Sequence, residues 1–182
     1  MRKIVITGGP HAGKSTVLAE LERLGFICLK EAALEIIEIL NKKLGINGQR
    51  LWCNKNQTAF QNLITQKQIR NEEQLPSTGQ KVAFLDRGLH DGLGYMMFHN
   101  ITPEDNYLEL LRQSVYDKIF ILDLITPFDM RKESGRVMQE ADALKVSHHI
   151  QKAYEQFEYE TIRVPQLPVN ERVEFILDKM QG

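Results

Sequence analysis

The chain has 182 residues, of which 42% are hydrophobic and 26% are charged, and its formal net charge is −1. These values are ordinary for a soluble globular protein, and this length is enough to bury a substantial core. A net charge near zero disfavours a large nucleic-acid surface, which needs a basic stripe. Membrane insertion is also disfavoured, because no apolar run approaches the roughly 20 residues of a spanning helix.

We therefore expect one cytoplasmic domain over residues 1–182. A strand pattern begins almost at Met1, so we expect no signal peptide. Cys28 and Cys53 are the only cysteines and show no C-x-x-C spacing. This arrangement disfavours a disulfide framework or a zinc site.

Short apolar runs predict five buried strands of a parallel sheet. In chain order they are Lys3–Thr7, Phe26–Leu29, Val82–Leu85, Lys118–Leu122 and Thr161–Val164. Helical patterns lie between them: Glu31–Leu44 (ended by Gly45), Ala59–Leu75, a helix starting at Thr102-Pro103-Glu104-Asp105, Val137–Phe157 and Asn170–Met180. Strands that alternate with helices predict βαβ units and a doubly wound α/β fold.

The strongest motif follows the first strand directly and has the G-x-x-x-x-G-K-S pattern of a P-loop. With the next residue it comprises Gly8, Gly9, Pro10, His11, Ala12, Gly13, Lys14, Ser15 and Thr16. Glycines let backbone N–H groups turn toward an anion, and the helix that begins here adds its positive end. Lys14 supplies a charge to the terminal phosphates, and the Ser15 hydroxyl is a ligand for Mg²⁺. The motif predicts binding of nucleotide phosphates together with Mg²⁺.

The second strong feature is the end of the third predicted strand, where Asp86 and Arg87 follow four apolar residues. Ligands of open α/β folds bind at the carboxyl edge of the sheet, which is where this strand delivers the two side chains. Asp86 is therefore a candidate Mg²⁺ ligand beside Ser15. Arg87 is predicted to point toward phosphate or substrate. The alternative is a surface salt bridge between the two residues.

Two further segments predict catalytic side chains. Glu31 follows the second strand and is a candidate general base for a substrate hydroxyl, or simply an acid in the first turn of the next helix. Arg131 and Arg136 flank a Ser-Gly turn before a long helix. They are predicted to form a lid, at about residues 127–145, that brings positive charge to the transferring phosphoryl group. The alternative for this segment is a solvated charge run.

Together these residues resemble a family of compact P-loop proteins described as AAA-type ATPase or kinase-like domains. The family is related to the nicotinamide-riboside kinase domain and, more distantly, to deoxynucleoside and thymidylate kinases. The resemblance covers essentially the whole chain. It depends on Ile6–Thr16, Glu31–Ala33, Phe84–Gly88 with Asp91 and Tyr95, and Val164-Pro165 leading to Glu171–Val173.

The resemblance implies a P-loop three-layer sandwich whose parallel sheet has the order 2-3-1-4-5, with a helical lid. It also implies an acceptor site between Glu31 and Asp86-Arg87, a lid carrying Arg131 and Arg136, and a nucleotide base near Pro165. The family often carries Arg shortly after Glu-Ala-Ala, whereas this chain has Leu34. That departure weakens the case for a phosphorylated acceptor.

The leading functional hypothesis is a kinase that transfers the γ-phosphoryl group of Mg-ATP to a small nucleoside-like or nucleotide-like acceptor. Lys14, Arg87 and Arg136 would stabilise charge, with Glu31 or Asp86 as the base. The alternative is a regulatory ATPase without a small acceptor. A GTPase switch is disfavoured because no Asn-Lys-x-Asp motif is present. A nucleotide-binding module without catalysis is the third hypothesis. The sequence leaves the acceptor and the oligomeric state open.

Overall fold

The computed structural model describes residues 1–75, 79–127 and 138–180. Its centre is a five-stranded sheet of order β2-β3-β1-β4-β5. The strands are β1 (Arg2–Thr7), β2 (Ile27–Leu29), β3 (Val82–Asp86), β4 (Lys118–Leu122) and β5 (Thr161–Val164). All four strand pairings are parallel. The predicted α/β class and the order 2-3-1-4-5 are confirmed.

The helices of the described ranges connect these strands and cover the sheet. They are α1 (Lys14–Arg23), α2 (Ala32–Lys55), α3 (Gln57–Glu73), α4 (Leu89–Phe98), α5 (Asp105–Gln113), α6 (Glu140–Glu155) and α7 (Val169–Lys179). None of the helices within the described ranges is long and apolar enough to cross a membrane.

The core consists of two apolar layers, one on each face of the sheet. Because strand side chains alternate between faces, Ile4 and Ile6 join the layer beneath α1 and α7, whereas Val5 joins the opposite layer with α6. A third cluster joins α4 to α5 through Leu93 and Leu111. The fold is therefore a three-layer α/β sandwich whose carboxyl edge is left for a site.

The structure corrects several predicted boundaries. Gly45 does break the helix, with φ 70° and ψ 165°, but helical structure resumes and continues to Lys55. The helix predicted from Thr102 begins at Asp105, so Pro103 precedes it and Glu104 is the N-cap residue. The α4 helix was not predicted at all. The predicted lid at residues 127–145 falls mainly on residues 128–137, which lie outside the described residues.

Candidate active site

The P-loop leaves the sheet at its centre, because β1 lies between β3 and β4. Gly8 has φ 137°, and a Cβ on this residue would lie 2.6 Å from the Leu122 carbonyl oxygen. Only glycine fits this close approach to β4. Gly13 has φ 79° and is the N-cap of α1, which begins at Lys14. The motif therefore has the strand–loop–helix context that phosphate binding requires.

Lys14 is held inside this loop. Its side chain is buried, with 6% of the residue exposed. Its Nζ lies 3.1 Å from the Gly9 carbonyl oxygen and 3.4 Å from that of Gly8. Ser15 and Thr16, the next two residues, are exposed on the first turn of α1. The loop thus presents an ammonium group and a hydroxyl at one helix N-terminus, where anions and their cations bind.

Asp86 ends β3 in register with Ile6 of β1. The residue is 5% exposed, and its Oδ1 has no hydrogen-bond partner among the described residues. Burial, followed by the charge of Glu31, raises the pKa of Asp86 to about 6. An unpaired carboxylate oxygen is the type of ligand that Mg²⁺ prefers, and Lys14 of the P-loop is among the charges that act on Asp86.

Arg87 is buried rather than at the surface, with 6% of the residue exposed. Its Nε donates to Glu31 Oε1 at 3.1 Å, and its Nη1 donates to Asp91 Oδ1 at 2.7 Å. The same Nη1 also donates to the Gly8 carbonyl oxygen at 3.1 Å. The predicted alternative, a surface Asp86–Arg87 salt bridge, is therefore wrong. Arg87 instead joins the P-loop to the carboxylates of α2 and α4.

Asp91, in the first turn of α4, is the centre of this network. Its Oδ1 accepts from Thr7 Oγ1 as well as from Arg87. Its Oδ2 accepts from the Gly88 backbone N–H at 3.1 Å and from the Tyr154 hydroxyl at 2.8 Å. One buried carboxylate therefore connects β1, α4 and α6. Sequence reasoning gave Asp91 no role, although its i,i+4 spacing from Arg87 was a usable signal.

Glu31 is the N-cap residue of α2, with φ −62° and ψ 116°, and its side chain makes no capping hydrogen bond. The residue is 6% exposed. The predicted alternative, an acid within the first turn of the helix, is therefore inaccurate, because the helix begins one residue later at Ala32. The carboxylate is instead paired with Arg87 at the carboxyl edge of the sheet.

A cavity of about 480 Å³ opens beside these groups. It reaches from Pro10 of the P-loop, past Glu31 and Arg87, to α2 and α3. Its apolar wall includes Ala33, Ile37, Phe60, Ile64, Leu89 and Tyr95. Its amide side chains are Gln49, Asn54, Gln57, Gln61 and Gln68. This volume is in the usual range for small-molecule sites.

The inner face of α3 is unusual because its buried residues are polar. They are Gln61, Thr65, Gln68 and Asn71. Gln68 donates to the Arg87 carbonyl oxygen at 3.2 Å, and Asn71 donates to Glu35 at 2.7 Å. Gln61 is 6% exposed and lines the cavity. A helix normally buries an apolar stripe, so this polar face is directed toward the cavity and the network rather than toward the core.

A family model described as an AAA domain matches residues 3–172. The chain belongs to this AAA-domain family. Its predicted resemblance to a P-loop kinase-like family is thereby confirmed. No curated protein matches the sequence.

Several solved structures have the same fold as this AAA-domain chain. A deoxyadenosine kinase from M. mycoides with bound dATP has 21% identity, covering 99% of this chain and 100% of that chain, with a TM-score of 0.63. A NadR protein in complex with NR has 16% identity, covering 99% of this chain and 50% of that chain, with a TM-score of 0.70. Thymidylate kinase from Candida albicans has 14% identity, covering 99% of this chain and 91% of that chain, with a TM-score of 0.60.

Within this AAA domain, the structure brings most of the predicted site residues to one edge of the sheet. The P-loop, Asp86, Arg87 and Glu31 lie together there. Pro165 follows β5 at the same edge and is exposed, but it does not line the cavity. Arg131 and Arg136 lie outside the described residues. Sequence reasoning named Asp91 as part of the resemblance but gave it no role. It missed the amides of α2 and α3, whose positions depend on packing between distant segments.

Proposed function

We propose that this protein is an ATP-dependent kinase that transfers the γ-phosphoryl group of Mg-ATP to a hydroxyl or phosphate of a small, nucleoside-like acceptor. The observation that carries this proposal is the cavity beside the P-loop. It shares Pro10 with the phosphate-binding loop and contains the buried, paired side chains of Glu31 and Arg87. A regulatory ATPase transfers the phosphoryl group to water alone. A cavity of this size beside the loop therefore favours a small-molecule acceptor.

The donor half of the mechanism uses the loop backbone and Lys14. Amide groups between Gly8 and Gly13 bind the phosphates, and Lys14 offsets the negative charge on the terminal phosphates. Ser15 and Asp86 would hold Mg²⁺, which when bound neutralises charge on the β- and γ-phosphate oxygens. Asp86 is suited to this role because its Oδ1 is unpaired among the described residues.

The acceptor half uses Glu31 and Arg87. Arg87 is permanently charged, and its contact at 3.1 Å orients the Glu31 carboxylate at the cavity. In this proposal Glu31 takes the proton of the acceptor hydroxyl, while Asp86 holds the metal. Arg87 also contacts the Gly8 carbonyl oxygen, so one guanidinium fixes the distance between the donor loop and the base. Such a mechanism depends on placement and charge more than on covalent chemistry.

The cavity wall supports a flat, partly polar acceptor. Apolar side chains such as Phe60 and Ile64 can pack against a ring, and amides such as Gln61 can hydrogen-bond to its edge. The structural neighbours named as deoxyadenosine and thymidylate kinases are consistent with a small acceptor. Arg131 and Arg136 are proposed to add positive charge during transfer, and Pro165 to lie near the nucleotide base.

An acceptor screen tests the proposal. The purified protein is incubated with Mg-ATP and single nucleosides, nucleotides or vitamin precursors, and phosphorylated products are identified by mass spectrometry. We expect at least one acceptor to give a phosphorylated product that Lys14→Ala does not form. ATP hydrolysis that no acceptor alters, but that a macromolecule stimulates, would instead support the regulatory ATPase.

A further inference from the structure

Arg172 of α7 is a buried cation behind the P-loop. Only 2% of the residue is exposed, and it is the largest of the fully buried side chains. Arginine is rarely buried to this degree unless it is paired. Neither the P-loop motif nor the cavity accounts for its position, because it does not line the cavity.

The guanidinium of Arg172 joins α7 to two other parts of the chain, the P-loop and the segment after β4. Its Nη1 donates to the Ala12 carbonyl oxygen at 2.7 Å, within the P-loop. Its Nη2 lies 3.4 Å from the carbonyl oxygen of Asp123, which follows β4. A Cβ on Gly13 would lie 3.3 Å from the same Nη1, so the guanidinium also packs against the N-cap of α1.

The charge of Arg172 has no carboxylate partner within the described ranges. The Asp123 carboxylate is paired with Arg163 instead, at 3.0 Å. The Nε of Arg172 is buried and donates to no acceptor in the described part of the chain. Burial lowers the pKa of Arg172, but an arginine stays charged in a protein. The Asp123 carboxylate acts on Arg172 electrostatically but forms no ion pair with it among the described residues. A buried cation without a direct ion pair is costly, and a polyphosphate bound at the P-loop would offset that cost.

We propose that Arg172 is a positioning residue of the polyphosphate site. By binding the Ala12 carbonyl oxygen on the outer side of the loop, it keeps the loop amides directed toward the phosphates. Its charge adds to the positive potential at the same place. The proposal rests on the nucleotide-binding half of the proposed function and is independent of the acceptor and of phosphoryl transfer.

The test measures binding of tripolyphosphate and of Mg-ATP by titration calorimetry. Tripolyphosphate is used because it lacks base and ribose and so reports on the loop alone. Arg172→Met keeps most of the side-chain volume but removes the charge and the hydrogen bonds. We expect it to weaken both ligands by about tenfold or more, the scale of one charge-assisted hydrogen bond. Arg172→Lys keeps the charge, and we expect it to restore part of the affinity.

Arg163→Met is the matched control, because Arg163 is exposed and its side chain bonds to Asp123 and Gln151 rather than to the loop carbonyl. We expect it to leave both affinities unchanged. Circular dichroism and the melting temperature show whether each variant is folded at the titration temperature. If Arg172→Met does not fold, the comparison of Arg172→Lys with the unmodified protein decides. In that comparison a severalfold loss supports the proposal, and an unchanged affinity overturns it.

A folded Arg172→Met that binds tripolyphosphate as tightly as the unmodified protein would overturn the proposal and leave the kinase function standing. Failure of the unmodified protein to bind either ligand would overturn both. Tight binding of tripolyphosphate and Mg-ATP that depends on Arg172, without phosphoryl transfer to any acceptor, would contradict the proposed kinase function and support the positioning role of Arg172. In a working kinase, the substitution should raise the KM for ATP and leave the KM for the acceptor unchanged.

Discussion

The proposed donor and acceptor halves of the site are built in different ways. The P-loop is one continuous segment, and its phosphate-binding geometry comes from backbone groups whose orientation depends on glycine spacing. The acceptor cavity is assembled from side chains of α2, α3 and α4, which are distant in sequence. Local spacing encodes the first half, and tertiary packing encodes the second. The donor half can therefore be predicted from a single sequence, whereas the acceptor half cannot.

The buried network of Arg87 and Asp91 is the junction between the two halves. Arg87 contacts Gly8 of the donor loop and Glu31 at the acceptor cavity. Asp91 contacts Thr7, which immediately precedes the P-loop, and also fixes Arg87. A substitution of Arg87 or Asp91 is therefore expected to affect both halves. A substitution of a residue outside this network is expected to affect only the half to which that residue belongs.

Removing Lys14 should have the largest effect. Lys14→Ala deletes the ammonium group of the donor half, so we expect turnover to fall by at least about a hundredfold. Steady-state ATP turnover and melting temperature are measured together, with the exposed Lys42→Ala as control. A variant that retained near-normal turnover would contradict the P-loop assignment.

Glu31→Gln should separate the halves most clearly. It removes the proposed base but leaves the donor loop intact, so transfer should fall roughly a hundredfold, the low end for a general base. The affinity for Mg-ATP should change little. Transfer rates and calorimetric ATP affinities are compared with Glu38→Gln, an exposed acid on the same helix. Loss of transfer in Asp86→Asn but not in Glu31→Gln would indicate that Asp86, and not Glu31, is the general base.

Gly8→Ala should damage the donor half through its backbone. The added Cβ would stand 2.6 Å from the Leu122 carbonyl oxygen at a φ of 137°. We expect ATP affinity to fall about tenfold, with a stability loss of roughly 1–3 kcal/mol from the enforced shift. Gly79→Ala is the matched control, since no atom of the described residues, apart from its chain neighbours, lies within 4 Å of its Cβ position. Equal ATP affinities and equal stabilities of the two variants would contradict the predicted clash with the Leu122 carbonyl oxygen.

The smallest predicted effect concerns His90, the neighbour of Asp91, and the pH dependence of the free energy of unfolding. His90 is fully buried among aromatic rings, and burial lowers its pKa from 6.5 to about 4. Below pH 6.5 the unfolded chain binds a proton that the folded chain does not. The free energy of unfolding should therefore fall as the pH drops from 6.5 toward 4, by about 2 kcal/mol at pH 5.

Urea denaturation at pH 7.5 and pH 5 measures this fall in the free energy of unfolding. His90→Phe should flatten the loss of stability between these values, because the ring is retained and the titrating group is removed. His148→Phe, on an exposed position of α6, should leave the loss unchanged. The same pH dependence in all three proteins would contradict a contribution from His90.

The sequence allowed most of the sheet to be predicted. The bounds of β4 and β5 agree with the prediction, and β1 and β3 differ by one residue each, because buried parallel strands are short apolar runs that end at turns. The α4 helix could not be predicted in this way. Six of its ten residues are buried, so it has no polar face to produce a helical period. Gly45 indicated a helix end, but nothing local indicated that a second helical segment follows it.

Within the site, sequence spacing identified the residues adjacent to strand ends and missed those that depend on packing. Asp86 and Glu31 were found because each follows a strand at the carboxyl edge. The pairing of Arg87 with Glu31 joins residues 56 positions apart, so no local pattern encodes it. Gln49 and Gln61 are ordinary amides in sequence, and only the fold shows that they face a cavity.

The polar inner face of α3 has an evolutionary consequence. Gln61 faces a cavity rather than the apolar layers around the sheet, so exchanging this amide disturbs few core contacts. In the proposed kinase, changes on α3 can therefore contribute to a change of acceptor while the nucleotide loop and the folding core stay as they are. Selection on the choice of acceptor and selection on nucleotide binding would then act on separate residues.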